Sequence, residues 1–324
     1  MQAVQITAFG GPEQLRVTSA PIPRPEPGQM VMRVRAASVN RSDLLLRSGE
    51  YHSPPPLPVT PGSEASGTVV EVGADVEGFE VGDRVVSWGS SGFYAEYAVI
   101  DAARTVAVPG GVPHEVAAAL PVAWLTARYA LRELGRVQPG QVVLLTASAS
   151  GVGTAALQTA VADGASVIGV VGSAEKAEAV RTLGATAVID RRSQPLAETV
   201  LDLTERVGVH LSVDLVGGPT FRDLLSATRP GGRVVAMANV ALAETTIDTR
   251  DFYPKNLSVL GFQFTNLQKL GWDPRPDLEM LLAEIAAGRY RVPIDSRWSL
   301  EDAADAHRRL ESGETIGKVV LEVP

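Results

Sequence analysis

Residues 144–160 read LLTASASGVGTAALQTA. An apolar run from Val142 to Leu145 meets a turn of small residues, and an amphipathic stretch follows. A strand that turns into a helix in this way can hold a pyrophosphate on the unpaired N–H groups of the helix start, usually through the pattern G-x-G-x-x-G. Here Ser148, Ser150 and Gly153 stand in the three glycine places. Serine is small enough for such a turn, and its hydroxyl can donate to a phosphate. The stretch Ser150, Gly151, Val152 and Gly153 is therefore expected to bind phosphate in spite of the two lost glycines. The alternative is a plain strand-to-helix turn.

The next strand narrows the ligand. A site for NAD carries Asp or Glu some 20 residues on, holding the ribose 2′-hydroxyl. In GVVGSAEK, Val171 and Gly172 occupy that place and the carboxylate is missing. Ser173 and Lys176 follow, and the third strand ends in IDRR, bringing Arg191 and Arg192. Cations in this position suit a 2′-phosphate. NADPH is the expected cofactor, with Gly172, Ser173, Lys176 and Arg191 around its adenosine. Read without a ligand, the three cations are solvated surface charges, partly diluted by Glu175 and Asp190.

These residues need elements to position them. A chain of 324 residues suits two domains. Its first third alternates apolar and polar residues in short runs, as in MVMRVRAASV and GTVVEVGADVEGFEVGDRVV, with prolines crowding the connections. From Gln141 onward, apolar strands alternate with helical stretches: VVLLT, SVIGVV, AVI, LSVDLV, RVVAM and LSVLGF are the strands. That rhythm predicts a doubly wound parallel sheet over residues 123–264. The β-rich domain takes residues 1–122, and the chain returns to it over 265–324.

A formal net charge of −8 argues against nucleic acid as partner. With no cysteine, disulfides and thiolate metal sites are impossible. No apolar segment reaches the length of a membrane span, and the start lacks the pattern of a signal peptide. A soluble cytoplasmic protein is expected.

The chain resembles the medium-chain dehydrogenase/reductase superfamily along essentially its whole length, and most of all its zinc-independent quinone oxidoreductase and enoyl-thioester reductase branches. The likeness rests on FGGPEQL, ASVNRSDLLLRSGEY, PGSEASGTVVEVGADVEGFEVGDRVV, AAALPVAWLTARYAL, ASASGVGTAALQTA, VDLVGG, KNLSVLGF and GKVVLEV. It implies a GroES-like β-rich catalytic domain plus a Rossmann domain, an α/β fold, with NADPH as cofactor and a quinone or other conjugated carbonyl as small-molecule substrate. It also implies a homodimer built through the last Rossmann strand, LSVLGF. Zinc-dependent relatives carry a cysteine near Asn40 or Arg41 and a histidine where Ser63 stands. No metal is therefore expected, and Glu64 is read as a buried, hydrogen-bonded group.

The resemblance also suggests roles. Tyr51, eleven positions beyond Asn40, falls where enoyl-thioester reductases carry an active-site tyrosine; alternatively it packs a proline-rich loop. Asn40 is expected at the nicotinamide ribose and in catalysis, or else as a turn residue ending its strand. Asp43 reads as a helix-start residue favoured by the dipole. Thr126, Val216, Gly217, Asn239, Phe262, Phe264 and Lys318 are the remaining candidates for cofactor contact, with Lys318 otherwise a surface charge. His307, set among helical charges, is expected to be exposed. Two further functions stay open: a reductase of enoyl thioesters or of one dedicated biosynthetic substrate, and a non-catalytic, crystallin-like NADPH binder.

Overall fold

The computed structural model describes residues 1–324. The chain forms two compact units, Met1–Leu125 with Gly271–Pro324, and Thr126–Leu270.

The first unit opens with β1 (Gln2–Gln5) and β2 (Arg16–Ser19), an antiparallel pair. The long β3 (Gln29–Val39) follows, then helix α1 (Arg41–Ser48) and strands β4 (Glu64–Val72), β5 (Arg84–Trp88), β6 (Tyr97–Asp101) and β7 (Thr105–Ala107). Helix α2 (His114–Ala118) leads into α3 (Pro121–Tyr129), whose later residues already belong to the second unit. The unit boundary thus falls inside a helix, where no change of composition marks it.

In the second unit, strands alternate with helices: β8 (Val142–Leu145), α4 (Gly151–Ala162), β9 (Ser166–Val171), α5 (Ala174–Thr182), β10 (Ala187–Asp190), α6 (Leu196–Leu203) and β11 (Val209–Asp214). Helix α7 (Thr220–Ala227), β12 (Thr228–Ala236), β13 (Ser258–Gly261) and α8 (Phe264–Lys269) complete it. The six strands lie in the order β10-β9-β8-β11-β12-β13, all parallel. Numbered within the unit, that is the 3-2-1-4-5-6 order of a dinucleotide-binding sheet. Leu144, Ile168, Val170, Val209 and Val234 pack against Leu196, Val200, Phe221, Leu224 and Leu225 of the helices. Burial on both faces is why these strands read as continuous apolar runs rather than as alternating ones.

The chain then returns through α9 (Arg275–Ala286), β14 (Ile294–Ser299), α10 (Ala303–Glu311) and β15 (Lys318–Glu322). β15 pairs antiparallel with β3 and parallel with β14, giving the order β14-β15-β3-β4-β5-β7, with β6 also on β3. The core of this unit includes Met30, Met32, Val34, Leu44, Val69, Val85, Ile100, Val319 and Leu321. The last strand therefore completes a sheet that the first third of the chain began.

Candidate active site

In the second unit, β8 ends at Leu145 and the chain reaches α4 through Ala147, held at φ +45°. Ser150 caps the helix, its Oγ accepting the Gly153 N–H at 3.0 Å. A Cβ on Gly153 would stand 2.3 Å from the Ala147 carbonyl oxygen, so only glycine allows this approach of helix to turn. Ser148 does not face a ligand. It is fully buried, donates to Leu145 O at 2.6 Å and accepts the Val170 N–H at 2.9 Å. The two serines differ: Ser148 ties β8 to β9, whereas Ser150 caps α4 only as an acceptor and retains its own O–H as a donor. The groups on offer at this turn are that hydroxyl and the N–H groups of Gly151 and Val152, in the first turn, where a helix has no carbonyl of its own to pair with them.

Past β9, Ser173 caps α5 by accepting the Lys176 N–H at 3.3 Å. Gly172 lies beneath two guanidinium groups. An ideal Cβ there would be 3.4 Å from Arg191 Nε and 3.6 Å from Arg192 Nε. The structure thus gathers Gly172, Ser173, Arg191 and Arg192, with Lys176 in the first turn of α5.

The end of β11 is fixed by a pair that sequence reasoning missed. Thr146 Oγ1 donates to the buried Asp214 Oδ1 at 3.1 Å, which also accepts the N–H groups of Val216 (2.9 Å) and Gly217 (3.1 Å). Val216 and Gly217 are thereby held in a defined turn, Gly217 at φ +73°. The signal lay in VDLVGG, where the Asp is the only charged residue in an apolar strand. Asn239 is exposed and donates to Ala243 O at 3.1 Å, closing its own loop. Thr126 is buried in α3. Phe262 packs on Tyr129, ring centroids 5.5 Å apart, and both line a groove of about 390 Å³ with Leu134, Gln263 and Leu267. Phe264 starts α8.

In the first unit, Asn40, Ser63, Glu64 and Lys318 form one buried cluster. Asn40 caps α1. Its Nδ2 donates to Glu64 Oε1 at 2.8 Å and to Ser63 Oγ at 3.2 Å, and its Oδ1 accepts from Lys318 Nζ at 2.5 Å. Lys318 also donates to Glu64 Oε1 at 3.0 Å, and Glu64 Oε2 accepts the Val122 N–H at 2.7 Å. Both amide hydrogens of Asn40 are therefore engaged, whereas the ammonium of Lys318 has a third N–H beyond these two bonds. Lys318 is 5% exposed and Glu64 fully buried, so Lys318 is not the surface charge allowed by the sequence. Tyr51 lies at the opposite end of α1, past the C-cap Gly49. It is half-buried, with its N–H donating to Leu45 O at 3.0 Å and its ring tilted on His52 at 4.3 Å.

Asp43 does more than favour the helix dipole. It is buried and closes a capping box, its Oδ2 accepting the Asn40 N–H at 2.8 Å. Burial above all pushes its carboxyl up to about 7. His307 is likewise buried, which corrects the expected exposure. It lies on the inward face of α10 with Ala303 and Ala306, while Asp305 and Arg308 of the same helix reach outward. Burial, reinforced by Arg47, lowers its pKa to about 3, so the ring is neutral.

Two stretches of the chain match known domain families. Residues 26–110 match the alcohol dehydrogenase GroES-like domain, and residues 151–284 match the zinc-binding dehydrogenase family. Together they define an oxidoreductase of the dehydrogenase class. A quinone oxidoreductase of Pseudomonas aeruginosa is 35% identical over 98% of both chains. The human synaptic vesicle membrane protein VAT-1 homolog is 33% identical over 99% of this chain and 86% of its own. The crystal structure of the Escherichia coli quinone oxidoreductase complexed with NADPH superposes with a TM-score of 0.93, at 32% identity, over 99% of this chain and 100% of that one. The chain belongs to the medium-chain dehydrogenase/reductase superfamily, among its quinone oxidoreductase-like members. A zinc ion, implied by the second family's description, does not fit: no three His, Cys, Asp or Glu side chains are grouped to hold a metal.

Proposed function

We propose that the protein reduces a quinone or another conjugated carbonyl compound with NADPH. The observation that carries this reading is Gly172 lying under Arg191 and Arg192, at the place where an NAD site would have a carboxylate. The likeness to a quinone oxidoreductase crystallised with NADPH supports it. In this reading the start of α4 at Ser150–Gly153 receives the pyrophosphate, and Arg191 and Lys176 receive the 2′-phosphate. Thr126, Val216, Gly217, Asn239, Phe262 and Phe264 attend the rest of the cofactor. NADPH, when bound, supplies a hydride. Asn40 and Lys318 orient the nicotinamide end, and the remaining N–H of Lys318 offsets negative charge that develops on an acceptor oxygen.

The spacing of Tyr51 from Asn40 favours a second reading, an enoyl-thioester reductase in which the phenol donates to the substrate. Two measurements test these assignments. Fluorescence titration is expected to show NADPH binding much more tightly than NADH, with Lys176→Ala weakening NADPH much more than NADH; equal affinities would sink the cofactor assignment. Steady-state assays of Tyr51→Phe are expected to show little loss with a quinone and a large loss with an enoyl thioester. Failure of every conjugated acceptor in a panel to drive NADPH consumption would favour the non-catalytic, crystallin-like role. We further propose a homodimer through β13 and a cytoplasmic location. β13 is the outermost strand of its sheet with Val259 exposed, and no helix is long and apolar enough to cross a membrane.

A further inference from the structure

Helix α1 carries one more buried charge, Arg47, which has no part in the reading above. Its Nη1 lies 3.2 Å from Nδ1 of the buried His307. A guanidinium has donors only. Nδ1 must therefore accept, and the ring proton sits on Nε2. That nitrogen is 3.3 Å from the Tyr94 hydroxyl, also fully buried. Nε2–H donates to the phenol oxygen, which leaves the phenol O–H to donate to Asp43 Oδ2 at 3.3 Å. The reverse order fails, because it would turn an Nδ1–H toward the guanidinium. Asp43 Oδ2 in turn accepts the Asn40 N–H. All the hydrogens thus point one way, from Arg47 to Asp43. Arg47 itself is held by Glu311 through Nη2 and by Gly10 O, 3.1 Å from Nε.

We propose that Arg47, His307 and Tyr94 are positioning residues that act through Asp43: their one-way chain supplies a donor to the carboxylate that fixes Asn40 at the head of α1. The proposal rests on the assignment of Asn40 to the cofactor.

The groups that face Asp43 define its behaviour. Glu64 from β4 and Lys318 from β15 act on it as charges, Ser63 and the Asn40 N–H as donors, and Tyr94 as the end of the chain from His307 and Arg47. Burial is the largest influence and raises the carboxyl, Glu64 adds to it, and the Asn40 N–H, Lys318 and Ser63 work against it. Only the charged form holds the Asn40 N–H strongly. As pH falls through about 7 that charge is lost, and NADPH affinity is expected to fall with it. Removing the Tyr94 hydroxyl disfavours the charged form further, so the loss begins at higher pH.

Two measurements test this. In ¹⁵N-histidine spectra of the wild-type protein, the signal that disappears in His307→Gln is expected to be a neutral Nε2–H ring that does not titrate between about pH 5 and pH 8. An Nδ1–H tautomer, or titration near the ordinary value, would overturn the chain. NADPH affinity is then followed against pH in the wild type and in Tyr94→Phe. The variant's acid limb is expected to move about one unit toward alkaline pH. Superimposed profiles, or a drop that is uniform across pH, would overturn the positioning role. Should Tyr94→Phe fail to fold, the histidine spectra still decide. If the wild type binds no NADPH at any pH, the cofactor assignment falls while the spectra continue to judge the chain.

Discussion

Lys318 and Glu64 form a buried ion pair, and such pairs are sensitive to the loss of one member. Glu64 accepts from Asn40, Lys318 and the Val122 N–H, so its charge is well supported only while the ammonium is present. Lys318→Met is expected to destabilise the protein by about 3 kcal/mol, with part of the loss recovered in the Glu64→Gln/Lys318→Met double variant. Urea unfolding of the wild type, Lys318→Met, Glu64→Gln and the double variant checks this; additive losses would mean the two charges act independently. Nothing in the local sequence announces this cluster, because Asn40 and Lys318 are 278 positions apart. The burial of His307 is hidden for a different reason. Its helix is rich in charge, and the inward spacing of Ala303, Ala306 and His307 was the signal that outweighed it. The role of Ser148 is likewise hidden from local sequence, because its partner, the Val170 N–H, belongs to the neighbouring strand.

At the scale of elements, the turn from β8 to α4 depends on the missing side chain of Gly153. A methyl there meets backbone rather than a movable side chain, so the helix start must shift. Gly153→Ala is expected to cost about 1–3 kcal/mol in stability and to weaken NADPH binding about tenfold or more. Thermal unfolding and cofactor titration measure the two effects; unchanged binding would place the pyrophosphate elsewhere. This turn was the most legible part of the site. Its chemistry is carried by consecutive residues, and the parallel sheet around it announces itself through apolar strands spaced by helices. The β-rich unit was legible only as a class. Its strand order, with β15 between β14 and β3, depends on pairing between the two ends of the chain. The boundary within α3 was hidden because one helix serves both units.

At the scale of the molecule, β13 leaves one edge of the six-stranded sheet without a strand. Open edges invite pairing, and charge placed on them prevents it. Val259→Lys is expected to convert the proposed dimer to a monomer in sedimentation experiments, with the fold retained; a dimer of undiminished affinity would move the interface to another face. The discontinuity of the first unit has a further consequence for biosynthesis. β3 and β4 leave the ribosome long before β15, and the whole parallel-sheet unit is made in between. Until residue 318 emerges, Glu64 lacks its cation and the Ala36–Val39 end of β3 lacks one of its partners. A translation product that stalls before that point is expected to expose the unfilled stretch of the β3 edge, and an exposed edge of this kind invites aggregation.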